Sequence, residues 1–217
     1  MLFWIGHASF YIKHNGITVF IDPFNVTDHV KEKADLILIT HAHMDHFSRK
    51  DINKVMKPDT EIITSTQTLS GNEYKNIKIA KPGFSSSYHG IGIESIPAYN
   101  TNKERLNFHP KSNEWVGYVV TVGGKRIFHA GDTDFIEEMK SLSNIDAALL
   151  PMGGTYTMET EEAIKAAQAI KAKATIPMHY KMLLGKEKAD ESEKRFTAEV
   201  KGAKILKEVQ PAAYSFG

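Results

Sequence analysis

Residues 36–51 read LILITHAHMDHFSRKD and place an apolar run directly before a dense group of potential metal ligands. Three histidines and one aspartate stand within six positions: His41, His43, Asp45 and His46. The run at 36–40 is typical of a buried strand, and residues 48–57 have helical periodicity. Alternate side chains of an extended segment share one side, so we expect His41 and His43 to face one ion. We expect Asp45 and His46 to turn back toward a second ion.

The ligand types narrow the choice of metal. Neutral imidazoles combined with a carboxylate favour zinc, iron or manganese over calcium. The chain contains no cysteine, so thiolate ligands are excluded. A site in which water fills the open positions is typical of catalysis rather than of structural support. The competing interpretation is a histidine-rich surface loop that binds no metal.

The overall composition limits the class of protein. With 217 residues and 41% hydrophobic content, we expect a single domain over residues 1–217. A net charge of +1, from 27 basic and 26 acidic residues, gives no electrostatic footprint for nucleic acid. No apolar stretch is long enough to span a membrane, and the N-terminus lacks the features of a signal peptide, so we expect a cytoplasmic protein. The sequence leaves the oligomeric state open.

The first half of the chain has the pattern of β-structure. Residues 9–21 place two β-rich runs around Asn15-Gly16, the strongest short signal for a hairpin. Further strands are predicted at 36–40, 61–65, 77–80, 91–97, 116–122 and 126–129. We therefore expect two sheets.

The second half combines helices with a strand. Alanine and isoleucine recur at helical spacing from Ala163 to Ala174, with Thr157 as the predicted N-cap. A strand at 173–178 and a helix at about 190–201 follow. This order predicts an α/β fold with sheets in the middle and helices outside.

Two later residues fit the same metal chemistry. Asp132 follows a predicted strand and stands beside Gly131, which permits unusual backbone angles, so its carboxylate is suited to bridge two ions. His179 follows a predicted buried strand, where sheets of this kind present functional groups. Alone, Asp132 is more often a turn residue and His179 more often a structural histidine. Their combination with residues 41–46 makes them candidate ligands.

THAHMDHF, HAGDTD and IPMHY, in this order and at these separations, resemble the metallo-β-lactamase superfamily. The resemblance extends over most of the chain, because WIGHASFYIKHNGITVFIDPF is similar to the opening hairpin and Asp-Pro motif of that superfamily. Gly-His-Ala at 6–8 and GGTYTM at 153–158 resemble the branch of ascorbate phosphate lactonase and N-acyl phosphatidylethanolamine phospholipase D. The resemblance implies a four-layer αββα sandwich.

The resemblance also implies a ligand set for two divalent ions, with zinc first and manganese or iron as alternatives. The implied first-site ligands are His41 and His43, and the implied second-site ligands are Asp45, His46 and His179. Asp132 is the implied bridging carboxylate. Asp22 is implied to support the motif from behind.

One family position departs from the pattern. The remaining first-site histidine is expected after the middle strand, where this chain has Asn100, a poor ligand for zinc. Either His109, nine residues later in the same loop, replaces it, or the first site is weak and holds only two histidines. We expect His109, because Pro110 stiffens the loop and long loops are more often functional than accidental.

The predicted activity is hydrolysis. Two adjacent divalent ions lower the pKa of a shared water and orient the resulting hydroxide for attack. Asp45 is expected to orient that nucleophile or carry a proton, and His7 to act as acid for the leaving group or as a structural histidine. Four cations near the 100–111 loop and His179 hint at a small anionic substrate, namely Lys103, Arg105, Lys111 and Lys181. A solvated charged loop is the competing reading of these cations.

Three classes of function remain open from the sequence. The first is a hydrolase of a small anionic ester, with a phosphodiester favoured over a lactone phosphate. The second is a di-iron redox protein, which usually needs a flavin partner and ligation richer in carboxylates. The third is a non-catalytic metal-binding domain, which Asn100 would favour if the first site is incomplete.

Overall fold

The computed structural model describes residues 1–65, 74–207 and 212–216. The chain divides into two compact units, Met1–Ala80 with Leu206–Gly217, and Lys81–Ile205. The strands of the first unit are β1 (Leu2–Gly6), β2 (Ser9–His14), β3 (Ile17–Ile21), β4 (Ala34–Ile39), β5 (Met56–Ser65), β6 (Ile77–Ala80) and β13 (Ala212–Tyr214). Those of the second are β7 (Ser85–Tyr88), β8 (Ile91–Pro97), β9 (Val116–Val122), β10 (Lys125–His129), β11 (Ala147–Pro151) and β12 (Ala174–Met178). The helices are α1 (Arg49–Val55), α2 (Thr160–Ile170) and α3 (Lys181–Glu199), and 3₁₀ turns span Lys111–Asn113 and Glu137–Ser141.

The first unit contains a seven-stranded mixed sheet in the order β13-β1-β2-β3-β4-β5-β6. The predicted hairpin is confirmed as β2 and β3, which pair antiparallel with Phe10 opposite Ile21. Asn15 and Gly16 have φ values of +48° and +81°, as the tight hairpin turn requires. From β3 to β6 the strands run parallel, so their carboxyl ends meet at one edge of the sheet.

Helix α1 covers one face of this sheet. Ser48 caps its N-terminus by accepting a hydrogen bond from the backbone N–H of Asp51. Ile52 and Val55 are buried in the same apolar cluster as residues of β4 and β5. The helix ends two residues earlier than the predicted 57, because Met56 is extended and begins β5.

The second unit contains a six-stranded mixed sheet in the order β12-β11-β10-β9-β8-β7. Strands β10, β11 and β12 are parallel, whereas β9 is antiparallel to both β8 and β10. Strand β8 therefore runs in the same direction as β10. Consequently the carboxyl ends of β8, β10, β11 and β12 lie at one edge, where the chain segments of the site begin.

The predicted start of helix α2 is wrong. Its N-cap is Glu159, and Thr157 lies two residues before it, fully buried. A local turn uses this segment instead, because Gly154 N–H donates to Met158 O at 3.0 Å. The helix also ends before Ala174, which belongs to β12. Its alanines and isoleucines nevertheless pack in one core with the sheet residues of this unit, as their spacing predicts.

Asp146 joins three segments of the second unit just before β11. Its carboxylate accepts hydrogen bonds from Lys173 Nζ at 2.8 Å and from the backbone N–H of Arg126 at 2.9 Å. Burial acts to raise the pKa of Asp146, but these hydrogen bonds and the positive charges of Lys173 and Lys125 hold the pKa below its ordinary value. The charged form of Asp146 therefore stabilises the fold.

Helix α3 starts nine residues before the predicted 190 and is interrupted at Gly185, whose φ is +70°. Phe196 and Ala189 anchor it in the core of the second unit. Among the described residues, no helix combines the length and apolar character that a bilayer crossing requires.

Candidate metal-binding clusters

We call His7, His41, His43, Asp45 and His46 the first ligand cluster; all five belong to the first unit. Strand β4 ends at Ile39, so the extended geometry expected for residues 41–43 is wrong. The chain bends at residues 42–43 instead, and a turn follows in which Phe47 N–H donates to His43 O at 2.7 Å. Across this bend, His41 Nε2 lies 3.1 Å from His43 Nδ1. The two imidazoles meet as expected, but across a bend rather than through the alternation of an extended segment.

The other three members of the first ligand cluster also lie together. His7 Nε2 is 2.9 Å from Asp45 Oδ2, and His46 Nε2 is 3.8 Å from the same oxygen. His46 is fully buried, whereas the Asp45 side chain is 36% exposed. Asp45 can therefore reach both a buried ligand and the solvent-facing side of the cluster.

Asp22 and Thr40 support His46 from the sheet. They follow the parallel strands β3 and β4, so they lie at the same sheet edge. The fully buried Asp22 carboxylate accepts hydrogen bonds from Thr40 N at 2.8 Å and Thr40 Oγ1 at 2.6 Å, and lies 2.7 Å from His46 Nδ1. A carboxylate at Nδ1 holds the proton there and leaves the lone pair on Nε2. Asp22 thus selects the ring nitrogen of His46 that is offered to a metal.

We call His109, Asp132 and His179 the second ligand cluster; all three belong to the second unit. His179 Nε2 lies 3.1 Å from Asp132 Oδ2, and His109 Nε2 lies 3.4 Å from the same oxygen. Each side chain is at most 3% exposed. Three segments far apart in sequence therefore bring their donor atoms to one buried point.

Two of the candidate histidines have unusual backbone φ angles. His179 follows β12 with a φ of +56°, and His7 follows β1 with a φ of +50°. Such left-handed conformations are uncommon for residues other than glycine and concentrate at functional sites. Before Asp132, the backbone N–H of Gly131 donates to His129 Nδ1 at 3.1 Å. This bond fixes the turn from which Asp132 projects and gives the buried His129 a structural role.

The donor separations fit a transition metal within each cluster. Two donors about 2.0–2.1 Å from one tetrahedral zinc ion lie roughly 3.4 Å apart. The His41–His43 nitrogens are 3.1 Å apart, and the two distances to Asp132 Oδ2 are 3.1 and 3.4 Å. The donors are imidazoles and carboxylates, which suit zinc, iron or manganese. The residues therefore fit the group that the sequence implies.

The loop between β8 and β9 is organised around Asp134, a residue that is not one of the predicted metal ligands. The fully buried Asp134 carboxylate accepts hydrogen bonds from Thr101 N at 2.7 Å, Asn102 N at 2.8 Å and Arg105 Nε at 2.6 Å. Arg105 also bonds Glu162 Oε2 at 2.5 Å. Burial raises the pKa of Glu162 above its ordinary value. The hydrogen bond from Phe135 N–H and the positive charge of Arg105 act in the opposite direction and reduce this increase.

These contacts correct the expectation that Arg105 attracts the substrate. Arg105 is 5% exposed and bound to carboxylates, so it is a structural residue rather than a substrate-attracting group. Lys111 lies 3.3 Å from a Glu138 oxygen and 4.3 Å from the centre of the Tyr99 ring. Hydrogen bonds to Tyr99 and Glu138 raise the pKa of Lys111. Lys181 pairs with Glu193 at 3.0 Å.

The sequence of this chain is similar to those of known proteins. Residues 1–179 match the family described as the beta-lactamase superfamily domain. A UPF0173 metal-dependent hydrolase of Thermoplasma acidophilum is 35% identical over 195 residues, which cover 82% of each chain. One from Nanoarchaeum equitans is 34% identical over 94% of each chain.

A solved structure has the same fold as this chain. The crystal structure of a Parabacteroides distasonis protein, proposed to be a metal-dependent hydrolase, superposes with a TM-score of 0.83 at 35% identity. The match covers 95% of this chain and 92% of that one. The expected fold class, an α/β fold of the metallo-β-lactamase type with two sheets, is thereby confirmed.

Proposed function

The chain belongs to the beta-lactamase superfamily, in which its relatives are metal-dependent hydrolases, and we propose that it hydrolyses a small anionic ester, with a phosphodiester as the first candidate. The coarser assignment, a metal-dependent hydrolase, follows from the family. The observation that supports a catalytic site most strongly is the buried convergence of His109 Nε2 and His179 Nε2 on one oxygen of Asp132.

We assign the chain two divalent ions, zinc first, with manganese or iron as alternatives. The proposed ligands are His41, His43, Asp45, His46, His109, Asp132 and His179. When bound, such ions lower the pKa of a water and polarise the oxygen of the scissile bond. One hydrolase domain over residues 1–217 remains our proposal, supported by the family match, which includes residues of both units.

Asp45 and His7 have proposed roles in proton transfer. Asp45 is the carboxylate of the first ligand cluster, is 36% exposed and lies 2.9 Å from His7 Nε2. Its carboxylate is suited to orient the attacking water and to accept its proton. His7 is held in place, because Trp4 Nε1 donates to His7 O at 3.0 Å. We propose that His7 passes a proton to the leaving group.

The surroundings of His109 guide the choice of test substrate. Phe108 precedes His109 and packs edge-to-face against Tyr156, with ring centres 4.7 Å apart. The two residues are 39% and 37% exposed, so part of the apolar surface of the pair faces solvent. This pair supports an ester that carries an apolar group. Because Arg105, Lys111 and Lys181 are paired with carboxylates, the proposed ions supply the main charge complement for an anionic ester.

The test combines metal content with turnover. Metal per chain is measured by elemental analysis on the wild type and on His109→Ala, with His29→Ala as a control at an exposed histidine. Hydrolysis of bis(p-nitrophenyl) phosphate and of a sugar lactone is followed on the same samples. We expect two ions in the wild type, and loss of one ion and of phosphodiester turnover in His109→Ala only.

The other outcomes discriminate between the remaining functions. Turnover of the lactone but not of the phosphodiester would replace the proposed substrate with the lactone. One ion or none per chain, without turnover of either ester, would favour the non-catalytic metal-binding domain. Stoichiometric iron with visible absorption and no hydrolysis would favour redox chemistry.

A further inference from the structure

The side-chain amide of Asn100 contacts four polar groups in the second unit. Its Nδ2 donates to Asp134 Oδ1 and to Tyr156 O, both at 3.0 Å. Its Oδ1 accepts the backbone N–H of His109 at 3.1 Å and lies 2.9 Å from His109 Nδ1. Asn100 is 3% exposed, so these contacts are shielded from water. The position that departs from the family pattern is therefore fully engaged.

These partners fix the orientation of the amide. Asp134 and Tyr156 present only oxygen acceptors to Asn100, whereas the backbone N–H of His109 is an obligatory donor. A flipped amide would set its oxygen against a carboxylate and its NH₂ against an N–H group, leaving several buried groups without a hydrogen bond. Oδ1 therefore faces His109, and the nitrogen of His109 beside it must be the donor.

The consequence concerns the tautomer of His109. With the proton on Nδ1, the neutral ring carries its lone pair on Nε2. Nε2 lies on the other side of the ring, 3.4 Å from Asp132 Oδ2. We propose that Asn100 is a positioning residue, which holds His109 in the Nδ1–H tautomer so that Nε2 is presented to a metal ion. This inference rests on the proposed function, in which His109 is a ligand.

Asp134 makes Asn100 rigid enough for this role. It binds Asn100 Nδ2 through Oδ1 and the backbone N–H groups of the next two residues through Oδ2. Arg105 Nε, at 2.6 Å, compensates the buried charge. A side chain that is itself held in one rotamer by hydrogen bonds can hold a neighbouring ligand in one orientation. Asp134 thus anchors the loop from Asn100 to His109 at its beginning, and Asn100 orients the ligand at its end.

The expected size of the effect follows from metal sites in general. Removing the hydrogen-bond partner of a ligating histidine typically weakens metal affinity by about 10–100-fold. We therefore expect zinc affinity to fall by that factor in Asn100→Ala. Asn102→Ala is the matched control, because Asn102 lies in the same loop and is exposed. The substitution retains the backbone N–H bond to Asp134 and removes an exposed local bond, from Glu104 N–H to Asn102 Oδ1 at 3.0 Å.

The experiment has two readouts on the full chain. Zinc affinity of the wild type, Asn100→Ala, Asn102→Ala and His109→Ala is measured by competition with a chromogenic chelator. The tautomer of His109 is read from imidazole ¹⁵N shifts of the metal-free wild type and of Asn100→Ala, with His109→Ala assigning the resonances. We expect the Nδ1–H form in the wild type and a gain of the Nε2–H form in Asn100→Ala, which a purely structural role would not produce.

The results separate this inference from the proposed function. An Nε2–H tautomer in the wild type, or wild-type zinc affinity in Asn100→Ala, would overturn the positioning role. If His109→Ala itself binds zinc like the wild type, His109 is not a ligand and the proposed ligand set fails instead. Should Asn100→Ala not fold, the wild-type spectrum alone decides the tautomer.

Discussion

Replacing Asp22 should separate the stability of the first ligand cluster from its ability to bind metal. The fully buried carboxylate holds three donors, Thr40 N–H, Thr40 Oγ–H and His46 Nδ1–H. In Asp22→Ala the Thr40 hydroxyl can turn to His41 Nδ1, which lies at 3.0 Å. Thr40 N–H loses its acceptor, and His46 Nδ1–H loses the carboxylate, with Thr40 Oγ1 next at 3.5 Å. Alanine also tolerates the φ of +47° at this position less well than aspartate.

The magnitude follows from these losses. Each buried donor without a partner costs about 1–3 kcal/mol, and breaking a buried network typically costs about 3–5 kcal/mol. We expect Asp22→Ala to lower the free energy of unfolding by about 3–5 kcal/mol. Asp22→Asn keeps an acceptor for Thr40 N–H and should cost less, about 1–2 kcal/mol. Its NH₂ group, however, would face His46 Nδ1 and force the ring proton onto Nε2, so zinc affinity should fall although the fold survives.

The assay is urea unfolding of chelator-treated protein, followed by circular dichroism, with zinc competition on the same variants. Asp28→Asn is the control, because its side chain is 92% exposed. The control should match the wild type in both measurements. A loss below about 1 kcal/mol in Asp22→Ala, or wild-type zinc affinity in Asp22→Asn, would refute the reasoning.

Three further predictions concern the second unit. Arg105→Ala leaves the buried Asp134 charge uncompensated, so we expect the free energy of unfolding to fall by about 3–5 kcal/mol in urea; a change within error would contradict this. Because the folded pKa of Asp146 is lowered, its stabilisation is complete above its unfolded pKa of about 3.9 and is lost as the pH falls through the folded pKa. Asp146→Asn should therefore lower the melting temperature at pH 7, and this difference should shrink toward pH 3; a constant difference would argue against it. In Gly153→Ala the new Cβ would lie 2.2 Å from His179 O, so the segment must shift and zinc affinity should fall, as chelator competition would show.

The parts of the fold that local patterns specify were predictable. Asn15-Gly16 indicated the hairpin because only a few residue pairs accept positive φ at both turn positions. The strands from 77–80 and 91–97 match β6 and β8, because β-rich runs bounded by turn residues are a local signal. Thr157 failed as an N-cap because a turn closed by Gly154 and Met158, two residues that carry no capping signal, decides where α2 starts.

The support of the second ligand cluster was not predictable, because its bonds join distant positions. Asn100 and Asp134 are 34 residues apart, and Arg105 and Glu162 are 57 apart. No periodicity links such pairs, and Arg105 in a charged loop has the pattern of a solvated residue. One signal was available: Asp134 stands two residues after Asp132, in the same segment at the end of a strand. A second carboxylate so close to a candidate ligand is itself a candidate for a role at the site.

The two ligand clusters use the same device with different acceptors. His46 Nδ1 meets the charged carboxylate of Asp22, whereas His109 Nδ1 meets the neutral amide of Asn100. Both acceptors fix the ring proton on Nδ1, but a carboxylate adds a negative charge beside the ring and an amide does not. At His109 this difference matters, because the opposite side of the ring already lies 3.4 Å from the Asp132 carboxylate. A neutral acceptor specifies the tautomer of His109 without placing a second negative charge next to the buried Asp132 carboxylate. The negative charge of Asp134 contacts Asn100 and is balanced by Arg105.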